Sequence, residues 1–146
     1  MEEHRVLLVK VQSEQLQAAF ERCWNTERNY DRLPGAPLSM PALICAALSA
    51  EIGLKALLFA QGNDPGREHN LRKLLDKLPA PTKAAIVAEV SAAYANFDEQ
   101  LANAEGAFVR WRYFYESTEN ININILFVGA LGAAIQRQVG LQWVAA

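Results

Sequence analysis

From Ser39 to Gln61 the chain reads SMPALICAALSAEIGLKALLFAQ, a run that is apolar on almost every side. Only Ser49, Glu51 and Lys55 interrupt it with side chains that need polar partners. A helix without a polar face belongs in the middle of a fold, packed on several sides. At roughly 20 residues it reaches about 30 Å, the width of a small domain. A membrane span is the rival reading. Glu51 and Lys55 near the middle argue against it, because charge at the bilayer centre is costly. Ser39 is expected as the N-cap, with Pro41 in the first turn. The turn residues Gly62-Asn63-Asp64-Pro65-Gly66 are expected to end the helix.

Glu51 and Lys55 lie one helical turn apart with the acid first, the favourable order for a helical ion pair. On a helix that is otherwise buried they must meet other polar groups, or water in a cleft. Two readings stay open: a structural ion pair, or one wall of a functional groove.

The remaining residues set the frame. A chain of 146 residues fits one domain, 1–146, with a real core. A net charge of -2 gives no global argument for nucleic acid, so any such binding needs a local patch. Cys23 and Cys45 fall in apolar helical settings. They read as buried thiols in a reducing compartment rather than as a disulfide framework. The opening MEEHRVLLVKV is acidic and soon broken by Lys10 and Gln12, unlike a signal peptide. The apolar run from Ile125 to Ile135 is too short for a bilayer. The expectation is a cytoplasmic protein without a membrane segment.

Helical spacing predicts further elements. Val6 to Glu27 forms a first helix through Leu8, Val11, Leu16, Phe20, Cys23 and Trp24. NYDRLPGAPL (29–38) reads as a loop. Asn70 is expected to cap a short helix from Leu71, basic outside at Arg72, Lys73 and Lys77, and stopped by Pro79 and Pro81. Thr82 is expected to cap a long fourth helix to about Ala104. Phe108 to Glu116, FVRWRYFYE, is dense in aromatics, and its periodicity does not separate helix from extended chain. NININI (120–125) alternates like a strand, but a lone strand lacks a partner in a helical chain. Asn120, Asn122 or Asn124 is expected instead to cap a last helix through Gln138, ended by Gly140. Its small residues Gly129, Ala130, Gly132, Ala133 and Ala134 permit close helix contact, and with the apolar tail they favour a homodimer. The architecture is an all-α bundle of five or six helices.

The chemistry that the residues allow is narrow. Two His and two Cys show no paired ligand spacing, and neither HExxH nor CxxC occurs, so no metal and no cofactor is expected. GNDPGREH lacks the phosphate-loop pattern. His69 precedes a helix start. It is either a loop histidine bonding the first turn or the rim of a groove with Glu51 and Lys55, where imidazole suits acid, base or phosphate contact. Arg110 and Arg112 alternate with Trp111 and Tyr113. They are either core aromatics with an arginine neutralising Glu51 or Glu116, or a surface for phosphates and unstacked bases.

Three motifs in order carry a resemblance: SAEIGLKALLFAQG (49–62), HNLRKLL (69–75) and RWRYFYE (110–116). The chain resembles the HEPN family, and within it the branch with an AE-x-x-LK helix, an H-[DN]-L helix start and an RY-x-YE segment. The resemblance implies a helical bundle that usually dimerises and that binds or acts on RNA or nucleotides. Such domains often sit beside a nucleotidyltransferase-type protein partner in toxin–antitoxin or defence systems. Active members are metal-independent ribonucleases with an Arg followed four to six residues later by His. That pattern is absent here, since no histidine follows His69 and Arg67 stands only two residues before it. The expectation is therefore a non-catalytic domain that binds RNA, a nucleotide or a protein partner, with Glu51, Lys55, His69, Arg112, Tyr113 and Glu116 as the ligand-binding residues. Two alternatives remain: a divergent ribonuclease using His69 with Glu51 or Glu116, and a purely structural oligomerisation module.

Overall fold

The computed structural model describes residues 3–25, 39–106 and 123–144. These hold six helices and no strand: α1 (Glu3–Trp24), α2 (Ser39–Ala60), α3 (Leu71–Asp76), α4 (Ala80–Ser91), α5 (Phe97–Ala104) and α6 (Ile125–Val144). The fold is all-α.

The apolar run of the sequence is the central helix. α2 packs against α1, α6 and α3, and buries Ala42, Ala46, Ala50, Leu54, Leu57 and Leu58. By length and composition it could cross a bilayer, yet 67% of its apolar window is buried inside the fold. Its end follows from Gly62 at φ 77, a left-handed conformation that costs glycine little. The Gly62 N–H donates to Phe59 O at 3.0 Å and the Asn63 N–H to Leu58 O at 2.9 Å, the paired bonds of a Schellman cap.

Three glycines let α1, α2 and α6 close on one another. A Cβ at Gly129 would lie 2.2 Å from Phe20 Cζ, one at Gly132 2.3 Å from Gln17 Oε1, and one at Gly53 2.6 Å from Ile135 Cγ2. Polar bonds fix the same seam. Ser49 Oγ donates to Ser13 O at 3.0 Å, and Gln17 Nε2 donates to Gly129 O at 3.1 Å. Gly129 and Gly132 of the last helix thus give the close helix contact expected of its small residues, here with α1.

Other expectations shift. Asn124 Oδ1 accepts the Phe127 N–H at 3.1 Å and so caps α6. The helix then runs through Gly140 to Val144, because no positive φ or steric demand falls at that glycine. Asn120 and Asn122 lie outside the described residues. The expected long fourth helix is two. Pro79, not Thr82, stands at the start of α4, and Pro81 fits its first turn instead of stopping α3. Asn96 adopts φ 61 and ψ 48, which breaks the helical path before α5. That break lets Tyr94 and Phe97 both meet the buried Phe127 ring edge-on, at 6.1 and 5.5 Å between centroids. α1 starts and stops three residues earlier than its periodicity suggests.

Candidate functional site

The Schellman cap turns the chain back along α2, and residues 61–70 return to its middle. Two short-range devices shape that return. Asp64 Oδ1 accepts the Gly66 N–H at 2.8 Å. Asn70 is the N-cap of α3, its side chain accepting from the Lys73 N–H at 3.1 Å. Glu68 Oε1 adds two more bonds, from the backbone N–H of His69 at 3.0 Å and of Asn70 at 2.9 Å. The Asn70 N–H, with the His69 N–H and nearby Lys73 and Lys77, holds the Glu68 carboxyl below its ordinary value. The backbone carrying His69 is thus fixed from both sides.

His69 meets Glu51 there. Its Nδ1 stands 2.5 Å from Glu51 Oε1, and the same oxygen lies 3.4 Å from Lys55 Nζ. The Glu51 side chain is 3% exposed, that of Lys55 18% and that of His69 51%. A buried carboxylate therefore holds two groups that reach the surface. Burial without partners would be costly for Glu51, so the histidine and lysine also meet a requirement of the fold. The Glu51 carboxyl group thus ties one ring nitrogen of His69 and leaves about half of that side chain at the surface.

Of the sequence-predicted site residues, the structure brings together Glu51, Lys55 and His69. Arg112, Tyr113 and Glu116 lie outside the described residues, as do Arg110 and Trp111. The basic outer face expected on the third helix is only partly free. Arg72 is engaged, with Nε donating to Glu105 Oε2 at 3.1 Å and a terminal nitrogen to Asp98 O at 2.8 Å. It ties α3 to α5. Lys77 Nζ donates to Pro65 O at 3.3 Å, and Lys73 stays largely exposed. Glu68 was not picked out by the sequence argument. Its signal was available as an acid two residues before an Asn N-cap, where a carboxylate reaches backbone N–H groups.

Two clefts lie away from this cluster. One of about 570 Å³ opens between α3, α4 and α5, with Arg72, Asp76, Lys83 and Asp98 on its rim. The other, about 530 Å³, is lined by Val6, Leu7, Phe59 and Trp143 near the ends of α1, α2 and α6.

Residues 41–123 match the family model described as HEPN domain. The chain belongs to the HEPN family. The match spans more than half the chain, and it contains α2 from Pro41 onward, α3 and the Glu51–Lys55–His69 cluster. HEPN domains are known from nucleotide-binding and ribonuclease-like proteins. Neither the curated proteins nor the solved structures contain a match.

Proposed function

We propose that this HEPN domain binds a phosphate-bearing ligand, RNA or a nucleotide, at the Glu51–Lys55–His69 cluster, and does so without catalysis. The observation that carries the reading is the contrast in burial within one hydrogen-bonded group. Glu51 is inside, while half of the His69 side chain and part of Lys55 are open to solvent. A carboxylate in that place orients an imidazole and an amine toward a ligand instead of competing for its cations from the surface. Lys73 and Arg67, both exposed, add positive charge along the same return of the chain. Arg112, Tyr113 and Glu116 join the site through the sequence motif alone, with Arg112 for phosphate and Tyr113 for stacking.

The test is binding of labelled single-stranded RNA and of ATP to the full chain. Lys55→Ala and His69→Ala should weaken binding at least tenfold, a larger effect than the stability they lose by taking a partner from the buried Glu51. Rising salt should weaken it too, since phosphate contacts release counterions. Variants that unfold together with their loss of binding would reduce the cluster to a structural element. A second reading rests on the 2.5 Å His69–Glu51 contact, an acid–base pair that a divergent ribonuclease could use. It requires RNA cleavage in the presence of EDTA, lost in His69→Ala. Intact RNA between about pH 5 and 8 would rule it out.

A further inference from the structure

Cys23 and Cys45 are partly exposed thiols at the edge of the core, which corrects the expectation of buried ones. The cleft between α3, α4 and α5 offers more, because its charges do not balance within it. Its floor is apolar: Leu75 and Leu101 are buried there, with Val87 and Phe97 beside them. Its lining includes the cations Arg72 and Lys83, and both are already engaged. Lys83 Nζ donates to Asp76 Oδ1 at 2.6 Å. Arg72 donates to Glu105 Oε2 at 3.1 Å and to the backbone oxygen of Asp98 at 2.8 Å, and reaches the Asp98 carboxylate only at 3.4 Å. The Asp98 side chain is 91% exposed, and Glu99 makes no side-chain bond among the described residues. The mouth of the cleft therefore presents net negative charge beside an apolar floor.

A smaller hollow of about 230 Å³ adjoins it, and Asn96 and Glu99 line both. The rest of its lining is amide, from Gln100, Asn103 and Asn124. Gln100 Nε2 donates to Ala95 O at 3.0 Å, which leaves its oxygen to accept. Asn124 Oδ1 accepts the Phe127 N–H at 3.1 Å, which leaves its amide hydrogens to donate. Asn96 makes no capping bond with its side chain. Amides that offer donors and acceptors together suit the alternating N–H and C=O groups of an extended main chain.

We propose that the cleft and the hollow beside it form a docking site for an extended basic segment of a partner protein, with apolar residues next to its lysines or arginines. A cationic side chain faces Asp98 and Glu99. Its apolar neighbour lies on the floor of Leu75, Val87 and Phe97, and the main chain runs past the amides. At about 570 Å³ the cleft falls within the roughly 300–1,000 Å³ of sites that enclose small ligands, so it has room for a few side chains. The same carboxylates turn phosphate away, so this face and the Glu51 cluster select opposite ligands. A free polyamine would meet the acids and leave the floor and the amides unused.

The experiment adds a fluorescein-labelled octapeptide of alternating leucine and lysine to the full chain and follows its anisotropy. Amide resonances of isotope-labelled protein locate the site. Those of residues 96–103 and of Asp76, Lys83 and Val87 should shift, and those of Glu51 and Lys55 should stay. A leucine–glutamate octapeptide should bind about tenfold more weakly or worse, because its charge is wrong. A glycine–lysine octapeptide should also lose about tenfold, because it leaves the floor uncovered. Glu99→Lys should weaken the leucine–lysine peptide and strengthen the leucine–glutamate one, a reversal that a merely unfolded variant does not produce. The proposal is overturned if the leucine–lysine peptide fails to bind at millimolar concentration, or if the resonances that move lie elsewhere. It is also overturned if the glutamate or the glycine peptide binds as tightly, or if Glu99→Lys weakens both charged peptides alike.

Discussion

Gly129→Ala and Gly140→Ala make the same chemical change on the same helix, and the structure predicts opposite outcomes. In a helix interior alanine is favoured over glycine by about 1 kcal/mol, and this gain is common to both variants. At Gly140 an added Cβ meets nothing within 4 Å, so the gain stands alone and the variant should be more stable by about 0.4–1 kcal/mol. At Gly129 the Cβ would lie 2.2 and 2.3 Å from two ring carbons of Phe20, against the roughly 3.5–4 Å of an ordinary carbon contact. Phe20 is buried in the α1 face of the core, so its ring cannot swing into solvent. Either the ring leaves its rotamer or α6 moves away from α1. Overpacking of this kind costs about 1–3 kcal/mol. The gap between the two variants is therefore about 1–3 kcal/mol, or roughly 3–12 °C in Tm for a chain of this size. Urea and thermal unfolding followed by circular dichroism measure it. Phe20→Leu placed in the Gly129→Ala background should recover part of the loss, with a coupling of about 1 kcal/mol or more in the double-mutant cycle. If Gly129→Ala proves as stable as Gly140→Ala, α1 and α6 are not packed as described, and the glycines of the last helix are open for another role.

Other changes probe the site and its supports. Glu51→Gln keeps the volume but weakens the hold on His69 and Lys55; it should cost about 1–3 kcal/mol in chemical denaturation. An unchanged midpoint would separate Glu51 from any positioning of the histidine. Glu68 has its folded value held below the ordinary 4.5, so its contribution to stability is present above that value and disappears as pH falls through the folded one. The stability gap between wild type and Glu68→Gln should accordingly be open near neutral pH and close as pH falls below 4.5 and through the lowered folded value; a gap independent of pH would contradict the carboxylate–backbone bonds. Cys45 has its folded value raised from 9.0, so the folded state retains the proton and stability falls as pH rises beyond that point. Cys45→Ala should flatten the alkaline limb of the stability profile, and an unaltered limb would place the titration elsewhere.

Much of this arrangement is legible in the chain itself, because the strongest local signals coincide with the elements that matter. An apolar run that ends at a glycine-rich turn and carries Glu51 and Lys55 near its middle points to a core helix over a membrane span, and α2 occupies 39–60 as the run suggests. Asn70 and Asn124 cap as their side chains allow. Where the reading fails, tertiary packing overrides periodicity. Ile86, Val90, Tyr94, Phe97 and Leu101 repeat as one helix would, yet Asn96 enters the left-handed region so that Tyr94 and Phe97 can both reach Phe127. Gly129 and Gly132 announce a close helix contact, but sequence spacing does not say that the neighbour is α1. Glu68 escaped notice because its carboxylate acts on backbone groups, which no residue pattern displays.

The placement of the cluster follows from how α2 divides its few polar positions. Successive residues turn about 100° around a helix, so Ser49 and Gly53 share one face while Glu51 and Lys55 share another, roughly opposite. The first face is used internally: Ser49 bonds Ser13 of α1, and Gly53 accommodates Ile135 of α6. On the second face the described partners of Glu51 are Lys55 of the same helix and His69, from chain that arrives later. The loop 61–70 brings His69 there, because the Gly62 cap reverses direction and the Glu68–Asn70 bonds fix the angle at which His69 arrives. A polar site beside an otherwise apolar core helix is thus possible because one face of that helix already satisfies the packing of the bundle. The prediction that separates the two faces is direct. Ser49→Ala should lower stability without touching ligand binding, whereas Lys55→Ala should weaken binding by far more than it lowers stability. Equal effects on both properties in both variants would mean that α2 is not partitioned in this way.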